Sequence, residues 1–64
     1  MYIFKKGEKF IGMDNASGGY PYETNRVFAA KEWSSIEEAR KYEGHFKDQG
    51  WTLHEVIGLD LRAV

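Results

Sequence analysis

Cysteine is absent from the chain, and proline occurs once. Without cysteine no disulfide can staple the fold and no thiolate metal site exists. A secreted disulfide scaffold is therefore excluded, and a reducing cytoplasm is the expected setting. A surplus of one charge is also lacking: nine lysines and arginines stand against ten aspartates and glutamates, a formal net charge of −1. That balance gives no long-range steering toward nucleic acid and is too mild for an acidic DNA mimic. No apolar run approaches the roughly 20 residues that span a bilayer. The N-terminal Met1-Tyr2-Ile3-Phe4-Lys5-Lys6 places its charge after its apolar residues, unlike a signal peptide. The expectation is one cytoplasmic domain without a membrane segment.

What the chain does have is aromatic area, 16% of its 64 residues. A domain this short lies near the lower limit at which a hydrophobic core alone suffices. Large rings bury much area per residue and are a way to stabilise so small a core.

Trp33-Ser34-Ser35-Ile36-Glu37-Glu38-Ala39 marks where an extended segment gives way to a helix. Ser34 with Glu37, and Ser35 with Glu38, both have capping-box spacing. The helix is predicted over 35–48, with Ile36, Ala39, Tyr42 (or Glu43) and Phe46 as its buried stripe. Glu37 with Lys41 and Glu43 with Lys47 form i, i+4 pairs in the favourable order. Gly50 suits the left-handed residue just past the helix end. Trp51 to Ile57 then reads as a strand, broken by Gly58 and followed by an alternating tail, Leu59 to Val64.

Upstream, Tyr2 to Lys6 and Lys9 to Met13 read as a β-hairpin around Gly7, with Tyr2 and Phe4 on one face and Ile3 on the other. Asp14 to Asn25 is rich in turn formers and reads as a loop. Arg26 to Ala30 reads as a helical turn and Lys31 to Trp33 as a short extended segment; Val27, Ala30 and Trp33 keep helical spacing while Phe28 does not. The sum is an α+β domain over 1–64: a three- to four-stranded antiparallel sheet with one helix packed on one face.

This order of elements resembles small bacteriophage- and prophage-encoded β-β-α-β proteins. The matching stretches are Tyr2 to Phe10, Gly18 to Tyr22, Ala30-Lys31-Glu32-Trp33, Ser34 to Ala39 and Trp51 to Val56. The resemblance implies an accessory role, such as modulating a host or phage macromolecule, and carries over no site residues.

Gly18-Gly19-Tyr20-Pro21-Tyr22 is the leading candidate for a protein-binding site. Glycines permit close backbone approach, and tyrosines offer rigid contact area with a polar tip. The competing reading folds one or both rings back over the hairpin to finish the core. Lys5, Lys6, Lys9 and Arg26, set beside these tyrosines, are candidate nucleic-acid contacts, because cations interleaved with rings serve single-stranded nucleic acid. Glu8, Asp14 and Glu23 interrupt that patch, and a solvated hairpin tip is the reading that surface composition favours.

No catalytic residues, metal ligands or cofactor are assigned. His45 and His54 lack the spacing of a metal pair, and nothing around Ser34, His54 and Asp60 marks a nucleophile elbow. Gly44, which costs about 1 kcal/mol inside a helix, is expected to allow close packing within the domain or against a partner helix. The tail can lie as an edge strand or cross to a second copy, which makes a homodimer an open expectation. The function expected is a non-enzymatic protein-binding module, with a nucleic-acid-binding protein or a structural homodimer as alternatives.

Overall fold

The computed structural model describes residues 1–64. Five strands form one antiparallel sheet: β1 (Tyr2–Lys6), β2 (Lys9–Gly12), β3 (Tyr22–Thr24), β4 (Thr52–Ile57) and β5 (Asp60–Ala63), in the order β3-β2-β1-β4-β5. One helix, α1 (Ile36–Lys47), covers one face, and short 3₁₀ turns lie at Asn15–Ser17 and Val27–Ala29. The α+β class stands as read. The strand count rises to five because Tyr22–Thr24, expected as loop, pairs with the sheet, and the tail takes its edge-strand reading at Asp60–Ala63.

Both β-hairpins turn through a glycine at the first of two loop residues, Gly7 at φ +60° and Gly58 at φ +62°. The residue after each, Glu8 and Leu59, keeps a negative φ. This is the type II′ pattern, whose twist matches that of the flanking strands. From Lys6 opposite Lys9 the β1–β2 pair runs only as far as Lys5 opposite Phe10, and then the strands part. The gap is filled by residues 31–33. The Lys31 amide donates to the Ile11 carbonyl at 2.8 Å, and Trp33 exchanges two backbone bonds of 2.9 Å with Tyr2.

Alternation divides the sheet's side chains between two faces. Phe4, Ile11, Trp51 and Leu53 meet Trp33 and, from α1, Ala39 and Phe46, in one buried cluster. Phe4 is its centre, with ring centroids 5.2 Å from Trp33 and 5.1 Å from Phe46, both edge-on. Such pairs add about 0.5–1.5 kcal/mol each beyond their buried area. Ile3 and Phe10 point to the opposite face and are buried as well. Residues 25–30 explain this: β3 flanks β2 on one side and Lys31 joins it from the other, so the chain between crosses β2 on the face away from α1.

The helix begins at the expected cap. Ser35 Oγ accepts from the Glu38 amide at 3.2 Å. Only half of the capping box forms, because the Glu38 carboxylate turns forward to Lys41 at 3.1 Å. The expected i, i+4 pairs are likewise replaced by i, i+3 pairs, Glu38 with Lys41 and Arg40 with Glu43. All four groups are solvated, so the exchange costs little. Gly50, at φ +90°, ends the helix, and Trp51 donates back to the Phe46 carbonyl at 3.2 Å. Gly44 departs from its reading as a close-packing site within the domain. A side chain built there meets nothing within 4 Å, so the residue faces open solvent.

Candidate functional site

The loop before β3 is built on the residue that β2 leaves bare. Gly12 lies opposite Tyr22 across the β2–β3 pair, and a Cβ at Gly12 would stand 2.6 Å from the Tyr22 ring. The ring thus occupies the space a side chain would fill, an aromatic packed on a strand glycine. Its hydroxyl donates to Asp14 Oδ2 at 2.7 Å. The other oxygen of that carboxylate accepts the Ser17 amide at 2.9 Å and so caps the turn Asn15–Ser17. Gly18 and Gly19 follow at φ +69° and +81°, two left-handed residues in succession, which glycine alone adopts readily. The Gly19 amide closes the loop on the Asp14 carbonyl at 2.9 Å.

This network shifts both titrating groups. The Tyr22 hydroxyl, and then the Ser17 amide, hold the Asp14 carboxyl below its ordinary value. Accepting that bond, Asp14 raises the Tyr22 phenol, with partial burial adding to the rise. The two loop tyrosines therefore have different tasks. Tyr22 folds back onto Gly12 and fastens the loop, but it does not join the core cluster that the competing reading has it finish. Tyr20 stands in solvent, 76% exposed.

Between this loop and α1 lies a cleft of about 350 Å³. Asp14 and Gly19 line it from the loop, Lys31 and Trp33 from the inserted segment, Glu38 and Tyr42 from the helix. The Trp33 and Tyr42 ring centroids are 5.5 Å apart, and the Lys31 ammonium lies 5.9 Å from the Trp33 ring. Its size falls at the lower end of ligand and side-chain pockets. The rim mixes one cation with two carboxylates, a composition that suits a zwitterionic or peptide group better than a polyanion.

Sequence reasoning passed over Phe28. It lies in the turn Val27–Ala29 and is 83% exposed, with Val27 beside it half-exposed. The available signal was its misfit: Phe28 is the apolar residue of that stretch that falls off the helical spacing.

The four candidate cations do not gather on one surface. Lys6 and Lys9 lie toward the α1 face of the sheet and share Glu23, at 3.9 and 3.3 Å. Lys6 also donates to the Gln49 carbonyl at 3.1 Å and lies 4.9 Å from the Trp51 ring. Lys5 points to the opposite face and donates to the Gly7 carbonyl. Arg26 anchors its turn through its amide, which donates to Thr24 Oγ1 at 3.1 Å, and its guanidinium makes no ion pair.

Sheet and helix separate the two histidines. His45 lies on α1, its ring 5.2 Å from Phe46. His54 lies on the sheet face away from α1, with Nε2 2.9 Å from Thr52 Oγ1 and Nδ1 buried without a partner. Partial burial, and then the Lys5 charge, lower its pKa. No group of three or more histidine, aspartate or glutamate side chains converges to hold a metal ion.

Comparison with known proteins adds no relative from which residue roles could be transferred: no family model, curated protein or solved structure matches the chain.

Proposed function

We propose that the protein is a non-enzymatic module that docks on a larger macromolecule, with Tyr20 and Phe28 as its anchors. One observation carries this reading. A chain that needs its rings for a small core leaves two of them almost wholly in solvent, on turns fastened by their own hydrogen bonds. Exposed aromatics on a rigid support are the usual anchors of protein recognition, because they bury large area at low entropic cost. The cleft lined by Gly19 of the same loop, with Trp33 and Tyr42 in its wall, offers a place for a partner's side chain. Docking of this kind acts by occluding a surface or by stabilising one state of the partner. The resemblance to phage-encoded proteins directs the search for that partner to host or phage macromolecules in the cytoplasm.

The test is affinity capture from a host lysate, with and without nuclease, comparing the wild-type chain with Tyr20→Ala/Phe28→Ala. Both rings are exposed, so the variant is expected to fold, as circular dichroism would verify. A protein captured by the wild type, retained after nuclease and lost from the variant supports the reading. Capture that survives both substitutions contradicts it. Capture abolished by nuclease and weakened steeply by salt would instead assign the chain to nucleic acid, through counterion release.

A further inference from the structure

The two ends of the sheet leave strand β5 as an open edge, and its residues are arranged to pair with themselves. The hairpin closes with Ile57 opposite Asp60, and Val64 donates to the Leu53 carbonyl at 3.1 Å. Hydrogen-bonded pairs alternate along an antiparallel ladder. Asp60, Arg62 and Val64 therefore direct their backbone groups to β4, while Leu61 and Ala63 turn theirs outward. Leu61 and Ala63 share the sheet face away from α1, and Asp60 and Arg62 share the face toward it. Neither charged side chain has an ion-pair partner within the chain, although Arg62 stands opposite Glu55 on β4.

We propose that β5 pairs antiparallel with β5 of a second copy about a two-fold axis through Leu61, joining two sheets into one of ten strands. This surface is separate from Tyr20 and Phe28 and does not rest on their role. With Leu61 on the axis, the two copies of Leu61 exchange both backbone bonds. Each Asp60 then lies opposite the second copy's Arg62, in the closer, non-hydrogen-bonded type of pair. Symmetry provides this contact twice. The turn residue Leu59, wholly exposed in the single chain, then lies next to the second copy's Ala63.

Charge selects this register over its neighbours. Shifting the pairing by one step so that Arg62 sits on the axis sets Arg62 against Arg62, and leaves Asp60 opposite Val64 with no cation to meet. Shifting it the other way sets Asp60 against Asp60. Charges on an edge strand ordinarily keep other strands away. Opposite signs two residues apart do so against foreign edges, yet complement an antiparallel copy of themselves. A four-residue strand buries far less than the roughly 800 Å² per partner of a standard interface, so the association is weak and reversible.

Sedimentation velocity from micromolar to millimolar concentration tests this on the full chain. The wild type is expected to pass from monomer to dimer. D60R and R62D each place like charges in both symmetric contacts and should weaken dimerisation by at least tenfold. D60R/R62D restores opposite signs and should recover most of it. Circular dichroism of each variant separates lost association from lost folding; should a variant misfold, D60N and R62Q, which remove charge without reversing it, take its place with a smaller loss. A wild type that stays monomeric overturns the proposal. So does a dimer indifferent to the single swaps, or one that the double swap fails to restore.

Discussion

The two edges of the sheet obey the same backbone chemistry and end in different states. At one edge, β3 has three residues, follows Pro21, and turns only Glu23 outward, whose carboxylate holds Lys6 and Lys9. Its neighbour Tyr22 is tied to Asp14 and packed on Gly12. At the other edge, β5 has four residues, no side-chain hydrogen bond or ion pair of its own, and Leu61 and Ala63 open to pairing. An edge is closed by what its side chains do as much as by its length. The proline, the carboxylate shared by two lysines and the ring-on-glycine contact close one side, and alternating opposite charges leave the other available to a matching strand.

The closed edge should break most easily at Gly12. Gly12→Ala inserts a methyl group into the Tyr22 ring and is expected to cost about 1–3 kcal/mol, the usual penalty for overpacking. Urea denaturation measures it. Placed on a Tyr22→Ala background, the same change should cost much less, because the ring it collides with is gone. An additive pair would mean that Gly12 and Tyr22 do not meet. Next in size is Gly44→Ala, which touches neither edge and serves as the control. It should stabilise the protein by about 1 kcal/mol, since the helix gains alanine's propensity and the added methyl meets only solvent. A loss instead would show that something packs on that helix face.

Smaller effects sharpen the account of the loop. Tyr22→Phe removes the hydroxyl that lowers the Asp14 carboxyl, so the Asp14 pKa should rise toward its ordinary value, as followed by NMR titration. In the wild type that carboxyl titrates lower in the folded than in the unfolded chain. Its contribution is therefore present above the ordinary carboxylate range and lost as pH falls through the depressed folded value. His54 works in the same direction at higher pH. Its folded pKa lies below the ordinary 6.5, so stability it contributes above that value is lost as acidification forces the ring to charge. His54→Gln should flatten the stability profile in that window and leave the later, Asp14-dependent loss in place.

Local signals made the helix legible. Ser35 as cap, the stripe through Ala39 and Phe46, and Gly50 at the end are all decided within a few residues of one another. The hairpin turn at Gly7 was legible for the same reason. Strand β3 was not, because Tyr22 becomes a strand residue only when Gly12, ten positions earlier, leaves room for its ring. The sequence marks the inserted segment at 31–33 as extended, but its place between β1 and β2 depends on two strands parting, which no local pattern records. At the site, the composition of Gly18-Gly19-Tyr20-Pro21-Tyr22 marks a candidate loop, yet its two tyrosines differ only through the bond Tyr22 makes to Asp14. The expected ion pairs of α1 were misassigned because i, i+3 and i, i+4 partners differ by rotamer choice in water, where either is worth only a few tenths of a kcal/mol.

Amide hydrogen exchange, read residue by residue at rising protein concentration, tests the difference between the two edges most directly. The outward amides of Leu61 and Ala63 should exchange freely in dilute solution and gain protection as concentration rises, while the outward amide of Glu23 stays unprotected throughout. Protection that appears at Glu23, or exchange at Leu61 and Ala63 that ignores concentration, would contradict it.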